Sequence, residues 1–404
     1  MEIDNVYEND ENDDAKDICA NLRKSIPLLG ELFHIHCKVG EGAFSSVFLA
    51  TIKSSNGRKK FALKHLIPTC HPERIERELR CLQQIGGKEY VVGLELCLRN
   101  HGSVVFVMPY MRHDKFPDYV RDMTVEETKN YMRALLSALR RVHKFNIIHR
   151  DVKPSNFLYD RINRRYLLID FGLAQQSSVE NFKAAKETNI KNIEIIPAMK
   201  RKRLDENNMN LKLNITTKRI GDNKCMCFGK PRVCSLCSTK PQEQAPRAGT
   251  PGFRAPEVLL KHPSQTSVKK ESKFSAIDVW ASGVMMLCIL SSTQPFFRSP
   301  DDCTALAEIT SMFGTCKLQQ CAQKLGKKVI FSNNLPGIDI MPLCQKLQKR
   351  NRSMTYDRDS TCKKVLPDIE YPKEAYHLLT KLLDLDYKTR ITAEQALSHP
   401  FLSS

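Results

Sequence analysis

Residues 149–156 read His-Arg-Asp-Val-Lys-Pro-Ser-Asn, and Asp170-Phe171-Gly172 follows 14 positions after Asn156. Together the two strings supply two carboxylates, an amide and an amine at fixed separations. A carboxylate such as Asp151 can accept a proton from a hydroxyl group, while Asn156 and Asp170 offer the oxygen ligands that magnesium prefers. Phosphoryl-transfer sites use the spacing from Asp151 to Asn156, so we predict that these residues share one site.

Length and cysteine content argue against two classes of protein. With 404 residues the chain can bury a large core made of two or three packing units. The N-terminus has no apolar leader and no stretch approaches ~20 uninterrupted apolar residues, so we expect neither secretion nor a membrane span. The 15 cysteines are scattered and odd in number, which favours a reducing compartment over a disulfide framework.

Charge is distributed unevenly along the chain. Residues 1–17 hold eight of the 45 acidic residues and one of the 63 basic residues, so the remainder has 37 acids against 62 bases, or +25. The acidic stretch has too little apolar content to order itself, and we predict a disordered tail over residues 1–17. The basic body favours an acidic protein or a nucleic acid as partner, while a solvated surface explains any single basic cluster equally well.

Residues 18–108 are predicted to form a β-rich lobe, because short apolar runs alternate there with glycine-rich turns. The expected elements are two strands around a glycine loop between Leu32 and Lys53, a strand Phe61–Leu66, a helix from about His71 to Gln84, and strands Val91–Leu98 and Val104–Met108.

Residues 109–404 are predicted to form a mainly helical lobe. Thr124 and Glu127 make a capping box, and apolar residues then recur at helical spacing, so a long helix should end near His143. Two shorter helices are expected near the C-terminus. Two polar stretches with weak periodicity, residues 175–247 and 314–370, resemble insertions into this lobe.

A glycine-rich sequence in the first lobe suits phosphate binding. It reads Gly40-Glu41-Gly42-Ala43-Phe44-Ser45-Ser46-Val47, with Ser45 where a third glycine often stands. Glycines let a backbone approach a triphosphate, but an ordinary strand turn uses them too. Lys64, in Ala62-Leu63-Lys64 on the third predicted strand, strengthens the phosphate interpretation because its ammonium group can neutralise the α and β phosphates.

Lys64 needs a carboxylate partner, and the following helix offers Glu73, Glu76 and Glu78. We predict Glu78, because apolar residues flank it on the side of the helix that should face the cleft. Glu73 lies in the first turn, where it favours the helix dipole, and Glu76 is expected to be a solvated surface residue.

These motifs together resemble the protein kinases. Residues 249–257 read Gly-Thr-Pro-Gly-Phe-Arg-Ala-Pro-Glu, similar to the end of a kinase activation segment, and residues 278–283 match the helix that anchors the catalytic loop. The resemblance implies an α+β, bilobal fold with a β-rich N-lobe and a helical C-lobe. It also implies roles for the first motif: Asp151 as base, Lys153 as partner of the γ-phosphate, and Asn156 and Asp170 as magnesium ligands.

The kinase resemblance further implies ATP as cofactor and several contacts. Glu257 is expected to pair with Arg390, and Thr250 to bridge Asp151 and Lys153, as in kinases that modify serine and threonine. The residues expected to line the nucleotide cavity are Val39, Gly40, Glu41, Gly42, Val47, Ala62, Lys64, Met108, Pro109, Met111 and Leu158.

Four cysteines lie close together at Cys225, Cys227, Cys234 and Cys237. Four thiolates in so short a segment suit tetrahedral zinc, although the first pair is spaced more tightly than usual. Unmetallated thiols and a redox or iron–sulfur role remain alternatives. A zinc clamp would order a polar insertion that has no core of its own.

A closer family resemblance is to the cell division cycle seven kinases, which trigger replication origins. Residues 62–69, 149–159 and 246–257, with the long cysteine-bearing insertion, carry it. It implies a nuclear catalytic subunit that needs a Dbf-four-type activator and modifies serine or threonine in acidic contexts on the minichromosome maintenance helicase. The basic run at residues 200–203 is consistent with a nuclear localisation signal, although four consecutive basic residues also occur by composition alone.

Two other functions explain part of the sequence. A pseudokinase scaffold would keep the fold, but Lys64, Asp151, Asn156 and Asp170 are all present. A nucleic-acid-binding zinc protein would explain the charge and the cysteines but not the catalytic string, and we expect no sequence-specific nucleic-acid binding. Pro246, four positions before Thr250, stands where many kinases carry a phosphorylated residue, so we hypothesise that a partner surface orders this segment.

Overall fold

The computed structural model describes residues 13–42, 45–53, 59–66, 72–176, 249–261, 275–353 and 369–403. They form a small lobe built on a five-stranded sheet and a larger helical lobe, so the fold is bilobal and α+β, as the sequence predicts. The four clustered cysteines and the basic run at residues 200–203 lie outside the described residues.

The N-lobe sheet is antiparallel, with strand order β1-β2-β3-β5-β4. Its strands are β1 (Phe33–Gly42), β2 (Ser45–Ile52), β3 (Lys60–Leu66), β4 (Leu96–Asn100) and β5 (Ser103–Pro109). Side chains alternate across β3, so Phe61 and Leu63 enter the core on one face while Ala62 and Lys64 line a cavity on the other. One face of the sheet is therefore used for packing alone, while the other both packs against the rest of the protein and lines the cavity.

Two N-terminal helices, α1 (Asp13–Ser25) and α2 (Pro27–Leu32), cover the outer face of the sheet. Leu22, Ile26 and Leu29 are buried there, and the side-chain amide of Asn100 donates to the Ser25 carbonyl oxygen at 2.8 Å. Helix α1 begins within the stretch that composition predicts as a tail, because these apolar residues give the chain a surface to pack against.

Helix α3 (Pro72–Ile85) packs on the other side, where Cys81, Leu82 and Ile85 are buried. The prediction of a strand over residues 91–98 is wrong at its start, since β4 begins at Leu96. Val91 instead forms an isolated bridge with Leu168 of the C-lobe, and the Val92 N–H donates to the Leu168 carbonyl oxygen at 3.0 Å. Contact with the second lobe therefore replaces sheet pairing in this segment.

The C-lobe is organised around two long helices, α5 (Val125–Lys144) and α7 (Ala276–Ser291). The Thr124 hydroxyl caps α5 by accepting from the Glu127 N–H at 3.1 Å, and the helix ends one residue after the predicted position. Fifteen of the 16 residues of α7 are buried, so it is the central helix of this lobe. A Cβ at Gly283 would come within 2.9 Å of Leu382, so glycine permits close packing there.

Shorter elements complete the lobe and position the site. Strand β6 (Ile147–Ile148) pairs with β9 (Gln175–Gln176), and β7 (Phe157–Asp160) pairs with β8 (Arg165–Leu168). The remaining helices are α4 (Phe116–Tyr119), α6 (Pro256–Leu259), α8 (Asp302–Phe313), α9 (Thr315–Lys324), α10 (Ile340–Ser353), α11 (Lys373–Leu382), α12 (Ala393–Leu397) and α13 (Pro400–Ser403). Across the described ranges, no helix combines the length and apolarity needed to cross a membrane.

The second polar stretch, residues 314–370, contains two helices that pack into the lobe. Leu318, Cys321 and Ala322 of α9 are buried, as are Cys344 and Gln348 of α10. Their inward faces use cysteine, alanine and glutamine as well as leucine, so hydrophobic periodicity is weak although the helical spacing is present.

Candidate active site

The side chain of Lys64 links two elements of the N-lobe to Asp170. Its Nζ donates to Glu78 Oε1 at 2.5 Å and to Asp170 Oδ1 at 2.8 Å. Lys64 is 6% exposed and Glu78 is 3% exposed, so this ion pair is shielded from water. Burial alone would lower the pKa of Lys64, but the carboxylates of Glu78 and Asp170 raise it, and the lysine keeps its charge.

Glu78 is the carboxylate on α3 that meets Lys64, as the apolar side of this helix predicts. Glu76 is exposed and instead accepts a hydrogen bond from Arg80 on the same helix at 2.5 Å. The side chain of Glu73 lies outside the described residues. Leu82, one turn after Glu78, lines the same cavity as Lys64, so the cleft-facing side of α3 contains both polar and apolar contacts.

Asp170 adopts a backbone conformation that is uncommon for a residue other than glycine, with φ of +63°. Its Oδ1 also accepts from the Gly172 N–H at 3.2 Å, and the neighbouring Phe171 ring packs 4.9 Å from the His149 ring. Burial would raise the pKa of Asp170, but the Lys64 ammonium and these hydrogen bonds lower it to about 2. The carboxylate is therefore ionised at neutral pH, as a magnesium ligand must be.

The loop formed by residues 149–156, called the catalytic loop below, brings Asp151, Lys153 and Asn156 together with Thr250. The Thr250 hydroxyl donates to Asp151 Oδ1 at 2.7 Å and accepts from Lys153 Nζ at 2.8 Å. Lys153 Nζ also lies 2.9 Å from Asp151 Oδ2, and Asn156 Nδ2 donates to the same oxygen at 3.0 Å. Thr250 thus bridges the proposed base and the lysine, as the sequence predicts.

Asp278 of α7 holds this loop through its backbone. Its carboxylate accepts from the N–H groups of His149 and Arg150, both at 2.8 Å, and from His143 Nε2 at 2.9 Å. Burial would raise the pKa of Asp278, but these donors lower it, so the group stays charged although it is 1% exposed. The loop is therefore anchored to a long helix that is almost entirely buried.

The predicted pair between Glu257 and Arg390 is confirmed. Arg390 contacts both carboxylate oxygens of Glu257, at 2.7 and 3.0 Å, and also donates to the carbonyl oxygens of Ala276 and Asp384. Arg390 is fully buried and Glu257 is 4% exposed. This bidentate pair ties the end of the segment after Thr250 to the C-terminal part of the lobe.

A cavity of about 380 Å³ lies between the lobes, and all eleven residues that the sequence places in the nucleotide cavity line it. Sequence reasoning missed eight other lining residues: Ser45, Leu82, Val92, Tyr110, His113, Ser155, Leu167 and Ile169. Position next to a motif points to Ser155 and Ile169, and helical spacing from Glu78 points to Leu82. Ser45 lies within the glycine-rich sequence, and Tyr110 lies between the predicted residues Pro109 and Met111. Val92, His113 and Leu167 enter only through packing of the two lobes.

A second cavity of about 270 Å³ adjoins the first. Both are lined by Gly42, Ser45, Lys64, Glu78, Lys153 and Asp170, and the second adds Leu66, Arg74, Asp151, Leu173, Gly249 and Thr250. Lys64 and Asp170 would therefore hold the phosphate end of a nucleotide in the larger of these two cavities, while Asp151 would accept the proton of an acceptor hydroxyl in the smaller one. Asn156 and Asp170 would hold Mg²⁺, which supplies positive charge to the phosphates.

We expect Glu78→Gln to lower kcat/KM by about 100-fold, because Lys64 loses the charge that positions it. Glu76→Gln is the matched control on the same helix and is expected to leave kcat/KM within about twofold. Steady-state kinetics with a peptide substrate would compare the two. Equal effects of both substitutions would contradict the assignment of Glu78.

Sequence comparison agrees with this geometry. The family model described as protein kinase domain matches residues 33–190 and 212–402. A Drosophila melanogaster protein named non-specific serine/threonine protein kinase Cdc7 is 34% identical over 95% of this chain and 76% of its own length. The human cell division cycle 7-related protein kinase is 32% identical over 96% of this chain and 92% of its length. The Schizosaccharomyces pombe cell cycle protein kinase spo4 is 30% identical over 99% and 92%.

Proposed function

Because this chain belongs to the protein kinase family and, within it, to the Cdc7-type kinases, we propose that it phosphorylates the minichromosome maintenance helicase to start DNA replication. It is an ATP- and Mg²⁺-dependent serine/threonine kinase of the cell cycle. The proposal adds the substrate, a preference for acidic sequence contexts, a Dbf-four-type activating subunit and a nuclear location.

One observation carries the catalytic part of this function. Lys64, Glu78 and Asp170 meet within hydrogen-bond distance, and Asp151 and Asn156 lie in the adjoining catalytic loop. A pseudokinase scaffold has no need to keep this charged arrangement, because burying charged groups lowers stability unless a function requires them. The geometry therefore favours phosphoryl transfer over a scaffold.

The charge of the chain supports an acidic substrate. Outside residues 1–17 the chain has an excess of 25 basic residues, which would attract acidic peptide segments through long-range electrostatics. Segments of a helicase subunit that carry serine before aspartate, glutamate or phosphoserine are negatively charged and would be attracted by this basic chain. The same charge would attract nucleic acid, so the two partners need a direct test.

Peptide phosphorylation tests the substrate proposal. We expect the complex with its activating subunit to phosphorylate a Ser-Asp-Glu peptide with a higher kcat/KM than the matched Ser-Ala-Ala peptide, in a Mg²⁺-dependent reaction. Equal rates for the two peptides would contradict the acidic preference. Steeply salt-dependent DNA binding without phosphorylation of either peptide would favour the nucleic-acid-binding alternative.

The need for an activating subunit rests on family membership and on the absence of an acceptor hydroxyl at Pro246. The subunit would hold the segment before Thr250 and the position of α3 in the active arrangement. We expect kinase activity to rise when the subunit is added to the isolated chain. Full activity of the isolated, unphosphorylated chain would contradict this part of the proposal.

We expect one zinc ion per chain, held by Cys225, Cys227, Cys234 and Cys237, because four thiolates supply a complete tetrahedral donor set. Native mass spectrometry and metal analysis would measure the stoichiometry, and Cys225→Ser with Cys234→Ser should abolish it. The matched control is Cys303→Ser with Cys316→Ser, two exposed cysteines of the C-lobe. Unchanged zinc in the first variant would contradict the assignment.

The nuclear location is proposed from the basic run Lys200-Arg201-Lys202-Arg203 and from the proposed substrate. A fluorescent fusion of the chain should concentrate in the nucleus. Replacing the four residues with alanine should reduce this concentration, and an even distribution of the unaltered fusion would contradict the proposal.

A further inference from the structure

The first residues of β2 face opposite sides of the N-lobe sheet. Val47 lines the nucleotide cavity, whereas Phe48 is 1% exposed and packs in the core beneath α1 and α2. Because neighbouring side chains in a strand alternate, Ser45 lies on the cavity side with Val47 and Ser46 lies on the opposite side with Phe48. Ser45 accordingly lines both the nucleotide cavity and the adjoining smaller one.

The neighbours of Ser45 place it near the end of the nucleotide phosphates. In the sheet it pairs with Gly42 of β1 and Leu66 of β3, two residues along the strand from Lys64. The lysine at this position of the kinase fold contacts the α and β phosphates. Ser45 also shares the smaller cavity with Asp151 and Thr250, on the side where phosphate is transferred.

The hydroxyl of Ser45 is available for a ligand. Its Oγ lies toward Gly42, 3.5 Å from where a Cβ on that glycine would stand, and no residue in the described part of the chain hydrogen-bonds to it. A third glycine at this position would offer only backbone atoms to a phosphate. Serine adds an O–H donor, and hydrogen bonds to charged acceptors are stronger than neutral ones.

We propose that the Ser45 hydroxyl donates a hydrogen bond to the γ-phosphate of ATP and so helps to hold the transferring group toward Asp151. Ser45 is then a nucleotide-binding residue that distinguishes the triphosphate from the diphosphate. This assignment rests on the kinase reaction and is independent of which protein is the substrate.

Calorimetric titration of the full chain with Mg²⁺–AMP-PNP and Mg²⁺–ADP tests the assignment. We expect Ser45→Ala to weaken AMP-PNP binding about tenfold and to leave ADP binding unchanged, because only the triphosphate analogue offers the γ-phosphate. Ser46→Ala is the matched control and should change neither affinity. The rise in the KM for ATP during peptide phosphorylation should follow the loss of AMP-PNP affinity.

Three results would overturn the proposal. If Ser45→Ala binds AMP-PNP as tightly as the unaltered chain does, the hydroxyl makes no contact with the γ-phosphate. If the substitution weakens ADP and AMP-PNP binding equally, the hydroxyl contacts a part of the nucleotide other than the γ-phosphate. The same loss in Ser45→Thr, which keeps a hydroxyl and suits a strand, would show that the hydroxyl is not responsible. Equal thermal unfolding midpoints of the variants would confirm that folding is unchanged, and AMP-PNP binding by the unaltered chain separates this test from that of the proposed function.

Discussion

Replacing Asp151 with asparagine is expected to lower kcat by about 1,000-fold, because an amide cannot accept the proton of the substrate hydroxyl at neutral pH. Nucleotide affinity should change little, since Lys64 and Asp170 hold the phosphate end of the cavity. Steady-state kinetics on an acidic peptide and calorimetry with ATP analogues would measure the two effects separately.

The control for Asp151→Asn is Asp118→Asn, an exposed carboxylate on α4 that should leave kcat unchanged. The amide at position 151 will meet donors from Thr250, Lys153 and Asn156, so local geometry also shifts. Thermal unfolding of the variant would show whether the loss extends beyond the site. Retention of more than a tenth of the original kcat would contradict the role of Asp151 as base.

Breaking the buried pair between Glu257 and Arg390 is expected to have the largest effect on stability. Arg390→Met removes both hydrogen bonds that Arg390 donates to the buried Glu257 carboxylate, which should lower the free energy of unfolding by about 3–5 kcal/mol. Urea denaturation followed by fluorescence would measure this loss. Adding Glu257→Leu removes the buried carboxylate, so the double variant should recover part of the stability.

A second ion pair in the same lobe serves as the control. Lys324 Nζ lies 2.9 Å from Asp386, but its side chain is 65% exposed. Water screens such a pair, so Lys324→Met should lower the free energy of unfolding far less than Arg390→Met does. If Arg390→Met were no more destabilising than Lys324→Met, the buried pair would not support the fold as we infer.

The catalytic loop was predictable from the sequence because its parts are close along the chain. Asn156 follows Asp151 by five positions, and Asp170 follows after a single hairpin of β7 and β8, so local spacing limits their arrangement. Glu78 was also predictable, since helical periodicity shows which side of α3 faces the cleft. In both cases a short-range pattern determines the direction of the side chain.

Features that depend on tertiary contact were harder to predict. Helix α1 begins within an acidic stretch, and its apolar residues are buried only because they pack against the outer face of the sheet. Val91 and Val92 have the composition of a strand, but the C-lobe supplies their hydrogen-bond partner. His113 and Leu167 enter the nucleotide cavity because the two lobes meet there. None of these contacts has a signal at short sequence separation.

The bonds from Asp278 to the backbone of His149 and Arg150 have a consequence for control of the enzyme. They attach the half of the site that contains the base to the buried helix α7, so that half cannot be displaced without loosening the hydrophobic interior. Activity can be switched on and off more readily by moving α3, because rotation of this helix by a fraction of a turn would withdraw Glu78 from Lys64. Drugs or proteins that silence the enzyme without unfolding it should therefore act from the N-lobe side.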